Sequence, residues 1–112
     1  MNHINSSLDA NIFVGDAYDV SGDNHILACT IIKYEKKLSD RLSAENDHIY
    51  LETSMKRRGY IFSSCWGTVT LESFRTELFK KLGQISSNTT SFILSISCHG
   101  DGDKLVFSDG KW

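Results

Sequence analysis

Three short apolar runs alternate with two amphipathic stretches, and this alternation restricts the fold more than any other feature of the chain. The runs are HILACTIIKY (25–34), YIFSSCW (60–66) and SFILSISC (91–98). Each is too short for a helix of ordinary length and rich in β-branched or aromatic residues, so each reads as a strand. Gly22-Asp23-Asn24 precedes the first run and Gly67 ends the second. Between the first two, AENDHIYLETSMKRR places Ala44, His48, Leu51 and Met55 at helical spacing. Ser43 is positioned to cap that helix. Acids occupy its first turn, Lys56, Arg57 and Arg58 its last, and Gly59 stands at the C′ position. Between the second and third runs, LESFRTELFKKL predicts a helix capped by Thr70, with Leu71, Phe74, Leu78 and Leu82 inward and Gly83 after it.

The order β-α-β-α-β with short connections predicts an α/β domain with a mostly parallel sheet and helices on both faces, a three-layer sandwich. Right-handed crossovers allow the first strand to lie between the second and third. Ligands of open α/β sheets bind beyond the carboxyl ends of the strands, where the strand order reverses. Arg41 leaves the first strand there and His99 leaves the third. Residues 1–24 are polar and aperiodic except for Ile12-Phe13-Val14, and read as an arm with room for one short strand. Residues 25–112 form the domain. KLVF (104–107) reads as a further short strand, followed by a turn at Ser108-Asp109-Gly110.

The chain has 112 residues, with 12 basic and 14 acidic side chains and a net charge of −2. That balance gives no electrostatic footprint for nucleic acid or an anionic membrane. The apolar runs are too short to span a bilayer, and the N-terminus lacks the pattern of a signal peptide. Cys29, Cys65 and Cys98 form no CxxC pair, which favours free thiols in the cytoplasm over disulfides or structural zinc. No cofactor is expected. Dinucleotide and P-loop glycine motifs are missing after the first strand. A phosphoacceptor receiver would need an aspartate where the third strand ends in Ser97-Cys98-His99.

A histidine at the end of a central strand suits proton transfer, because imidazole titrates near neutrality. Gly100 lets backbone approach a substrate, and its N–H can donate to a developing oxyanion. Arg41 can hold a carboxylate in a two-bond fork. The plainer readings are a His-Gly turn and a solvated loop arginine. His3 lies in the arm, His25 opens a strand, and His48 fits a hydrogen-bonded core position. Cys29 and Cys65 read as small apolar fillers. Cys98 and His99 are strand neighbours and point to opposite faces, a poor geometry for a dyad.

These residues resemble the caspase family. SFILSISCHGDGDKLVFSDG is similar to the family segment in which an apolar strand leads into Ser-His-Gly, acidic residues, and a short strand ending in Thr-Asp-Gly. Arg41-Leu42-Ser43-Ala44-Glu45-Asn46-Asp47 resembles the family's Arg-x-Gly-Thr/Ser-x-x-Asp. ETSMKRRGYIF resembles the end of its first helix and the approach to its second strand, and Thr70-Leu71-Glu72 the start of its second helix. The resemblance runs from about His25 to Trp112 and covers less than half of a complete caspase domain.

The resemblance implies a cysteine endopeptidase that cleaves after aspartate in apoptosis or related signalling. His99 matches the catalytic histidine, Gly100 the oxyanion-hole glycine, and Arg41 an arginine that binds the substrate aspartate. The carbonyl that orients the histidine falls near Ser39. Protein substrates or caspase subunits are the implied partners, in a homo- or heterodimer. Three departures stand out. Ser43 and Ala44 replace the usual Gly and Thr, and Cys98 replaces a small residue. The third is the nucleophile, which the family carries in Q-A-C-x-G roughly 50 residues after the histidine, whereas the sequence given stops at Trp112. SSCWG (63–67) lies in the wrong element. The expectation is therefore an inactive portion of such an enzyme. The alternative is a short non-catalytic relative that regulates a true caspase. The blandest reading is an α/β interaction domain with no inherited mechanism. With no strand beyond the third run, its apolar FILSI edge is expected to be open and to drive association.

Overall fold

The computed structural model describes residues 9–14, 22–35 and 39–112. The chain folds into an α/β domain with one sheet and two helices. The strands are β1 (Asp9–Val14), β2 (Asp23–Ile31), β3 (Ile61–Gly67), β4 (Thr89–Asp101) and β5 (Lys104–Val106). Helix α1 is Ala44–Arg57 and α2 is Leu71–Leu82. The sheet order is β1-β4-β2-β3, with β5 also paired to β4. The central β4-β2-β3 portion is parallel, with β2 between its neighbours as the crossover argument requires. Both β1 and β5 add to β4 antiparallel. His99 is opposite Asp9 on one side and Val106 on the other. Thus β5 continues the line of β2 beyond the last β2 partner, Thr30 opposite Ser97.

Two sequence-based expectations change here. The third apolar run does not stop at His99-Gly100: β4 continues to Asp101 and turns through Gly102, whose φ of 64° suits a two-residue hairpin loop. Nor is its outer edge open, because β1 covers Leu94–His99. The Ile12-Phe13-Val14 patch is the end of that added strand, so part of the expected arm belongs to the sheet. His3 lies outside the described residues.

Helix α1 packs on the face carrying Thr30, Phe62 and Trp66, where its His48 bonds Thr30 Oγ1 at 2.8 Å and lies 4.8 Å from the Trp66 ring. Helix α2 packs on the other face, where Phe74 joins Leu27, Cys29, Ile31, Cys65, Ile96, Cys98 and Phe107 in the core. Strand alternation explains the division, because odd residues of β2 and β3 point to α2 and even ones to α1. His48 therefore takes the structural place its spacing implied. The α2 start is as predicted: Thr70 Oγ1 accepts from Ser73 N–H, and Ser73 reciprocates to the Thr70 N–H. The α1 start is not, because Ser43 makes no side-chain cap bond and already has helical backbone angles. At the α1 end, Gly59 has a φ of 87°, the left-handed geometry expected at C′.

The inward face of α2 also differs. Leu82 is 44% exposed, whereas Lys81 is buried. The Lys81 ammonium is held by the Ile61 carbonyl and Ser63 Oγ at 3.0 Å each, and burial lowers its pKa. Its stem packs where a leucine was expected, and its charge is satisfied by β3. Among the described residues no helix is long and apolar enough to cross a membrane.

Candidate functional site at the carboxyl end of the parallel strands

Arg41 and His99 are anchored on the same face of β4, Arg41 at Ser97 and His99 two residues further along. Arg41 follows β2 by ten residues, and its chain is drawn back onto the end of that strand. Its N–H bonds the Ile32 carbonyl at 2.7 Å. Asp40 accepts the Tyr34 N–H at 3.0 Å and pairs with Lys33, closing the loop from within. The Tyr34 amide, more than Lys33, holds the Asp40 carboxyl below its ordinary pKa.

The side chain of Arg41 crosses from β2 to β4. Nη1 donates to the Ile31 carbonyl at 2.7 Å and Nη2 to Ser97 Oγ at 2.8 Å. These two bonds set the plane of the guanidinium, which a fork to a carboxylate requires. Ser97 and His99 share a face of the strand about 6.6 Å apart along it. The loop that carries Arg41 therefore also reaches the histidine. His99 Nε2 lies 2.8 Å from the Ser39 carbonyl oxygen. A carbonyl can only accept, so Nε2 carries the hydrogen and Nδ1 the lone pair in the neutral ring. This is the tautomer of an oriented general base acting through Nδ1. The carbonyl near Ser39, expected from the resemblance, occupies the position that fixes it.

Tyr34 adds a support absent from the sequence reading. Its hydroxyl accepts the His99 backbone N–H at 2.8 Å and donates to the Val106 carbonyl at 2.9 Å. Its ring lies 4.6 Å from the imidazole. One side chain thus bridges β4 and β5 at the histidine and limits its ring. An amphipathic aromatic at the end of an apolar run was the available signal, but its partners are more than sixty residues away.

Gly100 is buried within β4 opposite Leu105. Alternation along an extended strand sends its N–H to the edge opposite that of His99, the edge that carries β1. The glycine is therefore part of a ladder and not of a turn after the strand.

Thiols are on the other side. Cys29, Cys65 and Cys98 are all buried free cysteines in the α2-side core. The hydrogen bond with Cys65, and then burial, push the Cys29 thiol pKa up, so it is an inert filler. Cys98 is fully buried and faces away from His99, as alternation required. The arrangement can move a proton and orient a carboxylate, but these three sulfurs do not reach the His99 face. Among the described residues no group of three or more His, Cys, Asp or Glu side chains is placed to hold a metal ion. No family model matches the chain, and searches of curated proteins and of solved structures likewise find no match.

Proposed function

We propose that this chain carries the histidine and arginine portion of a caspase-type cysteine endopeptidase site, specific for aspartate, in a three-layer caspase-like domain. One observation carries the reading: the loop after β2 holds His99 through the Ser39 carbonyl and, two residues on, presents Arg41 on the same face. In the complete site a thiolate attacks the peptide carbonyl and His99 Nδ1 handles the proton. Gly100 is the oxyanion donor by resemblance, and Arg41 pairs with the substrate aspartate. Protein substrates and caspase subunits are the corresponding partners, in cytoplasmic proteolytic signalling such as apoptosis.

The three cysteines of this chain do not serve as the nucleophile, so the 112 residues alone are expected to cleave nothing. Purified protein is incubated with peptides carrying aspartate before the scissile bond, with and without a thiol-alkylating reagent. Absence of turnover is the expected result. Alkylation-sensitive turnover that disappears in Cys98→Ser would overturn the assignment.

A second reading has its own support. Strand β1 covers the β4 edge from Leu94 to His99, beside which a nucleophile-bearing strand would pair. With that edge filled from within, the chain acts as a non-catalytic relative that binds and regulates a true caspase. Adding the protein to an active caspase and recording a changed rate would favour this second reading.

A further inference from the structure

The edge of the sheet opposite β1 is different in character. Strand β3 ends the strand order, and no described strand pairs with its outer side. Its sequence, IFSSCWG, contains no charged residue and no proline, so it lacks the usual devices that keep sheet edges apart. Lys81 reaches the strand, but from the α2 side, where it is engaged with Ile61 and Ser63. Beside the edge, Ile61 is 43% and Trp66 42% exposed, and Ile49 of α1 is 51% exposed. A shallow groove of about 240 Å³ runs there between α1 and β3, lined by Glu45, His48, Ile49, Glu52, Ser64 and Trp66.

We propose that β3 is the surface through which a second copy of this chain binds, the two β3 strands pairing antiparallel about a twofold axis at Ser64. Two features select the second copy and its direction. The first is register. Centring on Ser64 sets each Phe62 opposite the partner copy's Trp66, twice, on the α1 face. Aromatic cross-strand pairs of this kind stabilise a ladder. The second is charge. Helix α1 runs opposite to β3, so Glu45 and Asp47 lie towards the Trp66 end and Lys56, Arg57 and Arg58 towards the Ile61 end. An antiparallel pair brings the acidic end of each α1 beside the basic end of the other. A parallel pair through the same edge would turn one copy over, put the two α1 helices on opposite faces of the joint sheet and lose this charge match. The contact is self-complementary, as a closed twofold dimer needs. It joins two sheets into one and does not depend on what His99 and Arg41 do.

Sedimentation equilibrium of the full chain is expected to show a monomer–dimer equilibrium. Ser64→Lys puts two cations face to face on the axis and should weaken association at least about ten-fold without changing the far-ultraviolet dichroism. Glu45→Arg should weaken it as well, and adding Arg57→Glu should restore it. Ser64→Cys should cross-link under mild oxidation, because residues directly opposite in an antiparallel pair have Cα atoms about 4.5–5.5 Å apart. Thr53→Cys on α1 should not. A protein that stays monomeric up to about 0.5 mM, where even weak complexes form, would overturn the proposal. A dimer whose affinity is unchanged by both Ser64→Lys and Glu45→Arg would do the same.

Discussion

Replacing Tyr34 by phenylalanine is expected to destabilise the fold by about 1–3 kcal/mol, the usual cost of leaving buried hydrogen-bonding groups unmatched. The ring and its contact with His99 remain, so packing changes little. What disappears is the hydroxyl that joins the His99 N–H to the Val106 carbonyl. These groups lie in partly buried surroundings where water is a poor substitute. The loss should therefore be local as well as global. Amide exchange at His99 should accelerate more than exchange in the β2–β3 ladder, and β5 should loosen with it. Urea unfolding gives the first quantity and hydrogen exchange the second. An unchanged His99 exchange rate would show that Tyr34 does not hold the histidine.

Acidification is expected to weaken the protein well above the range in which carboxylates titrate. His25 is buried on the α2 face, and neither ring nitrogen has a hydrogen-bond partner among the described residues. Burial, and then the nearby Lys81 cation, lower its pKa, while Asp23 opposes them weakly. Burial likewise lowers the pKa of His48, against a smaller opposing pull from Glu52. Both imidazoles stay neutral in the fold after they have become protonated in the unfolded chain. Below about pH 6.5 the unfolded state therefore binds more protons, and stability falls as pH falls. The loss from each is at most about 1.4 kcal/mol per pH unit, and it levels off once the folded-state pKa is passed. Between pH 7.5 and 5.5 the urea midpoint should drop. His25→Leu, which removes the unpartnered nitrogens, should raise the midpoint more at pH 5.5 than at 7.5. An equal change at both values would mean that His25 does not contribute to the pH dependence.

The parts of the fold that were legible share a local cause. Helices at 44–57 and 71–82 announce themselves through spacing, end charges and the Thr70 cap, all within a few residues. The three central strands follow from continuous apolar runs, and their order follows from crossover handedness. What was not legible depends on distant partners. The extension of β4 through His99, Gly100 and Asp101 exists because β1 and β5 pair with it, and CHGD alone reads as a turn. Lys81 looks like a surface residue until Ile61 and Ser63 are placed under its ammonium. Ser43 resembles a cap by type, but the turn before α1 is already helical there. At the candidate site, Arg41 and His99 stand out in the sequence by position and by resemblance. Tyr34, Asp40 and Ser97, which fix them, are ordinary residues in the sequence and matter only through contacts that the fold creates.

If Arg41 and His99 act as one aspartate-recognising unit, as proposed, both respond to the same ligand. The isotopically labelled chain is titrated with two short peptides, identical except for a terminal aspartate or asparagine, while the Arg41 side-chain and His99 imidazole resonances are followed. The aspartate peptide should shift both sets of signals together. The asparagine peptide, which lacks the charge for the guanidinium fork, should bind at least about ten-fold more weakly, a difference of about 1.4 kcal/mol. Equal affinity for the two peptides, or shifts confined to residues away from Arg41 and His99, would mean that the two residues do not recognise aspartate together.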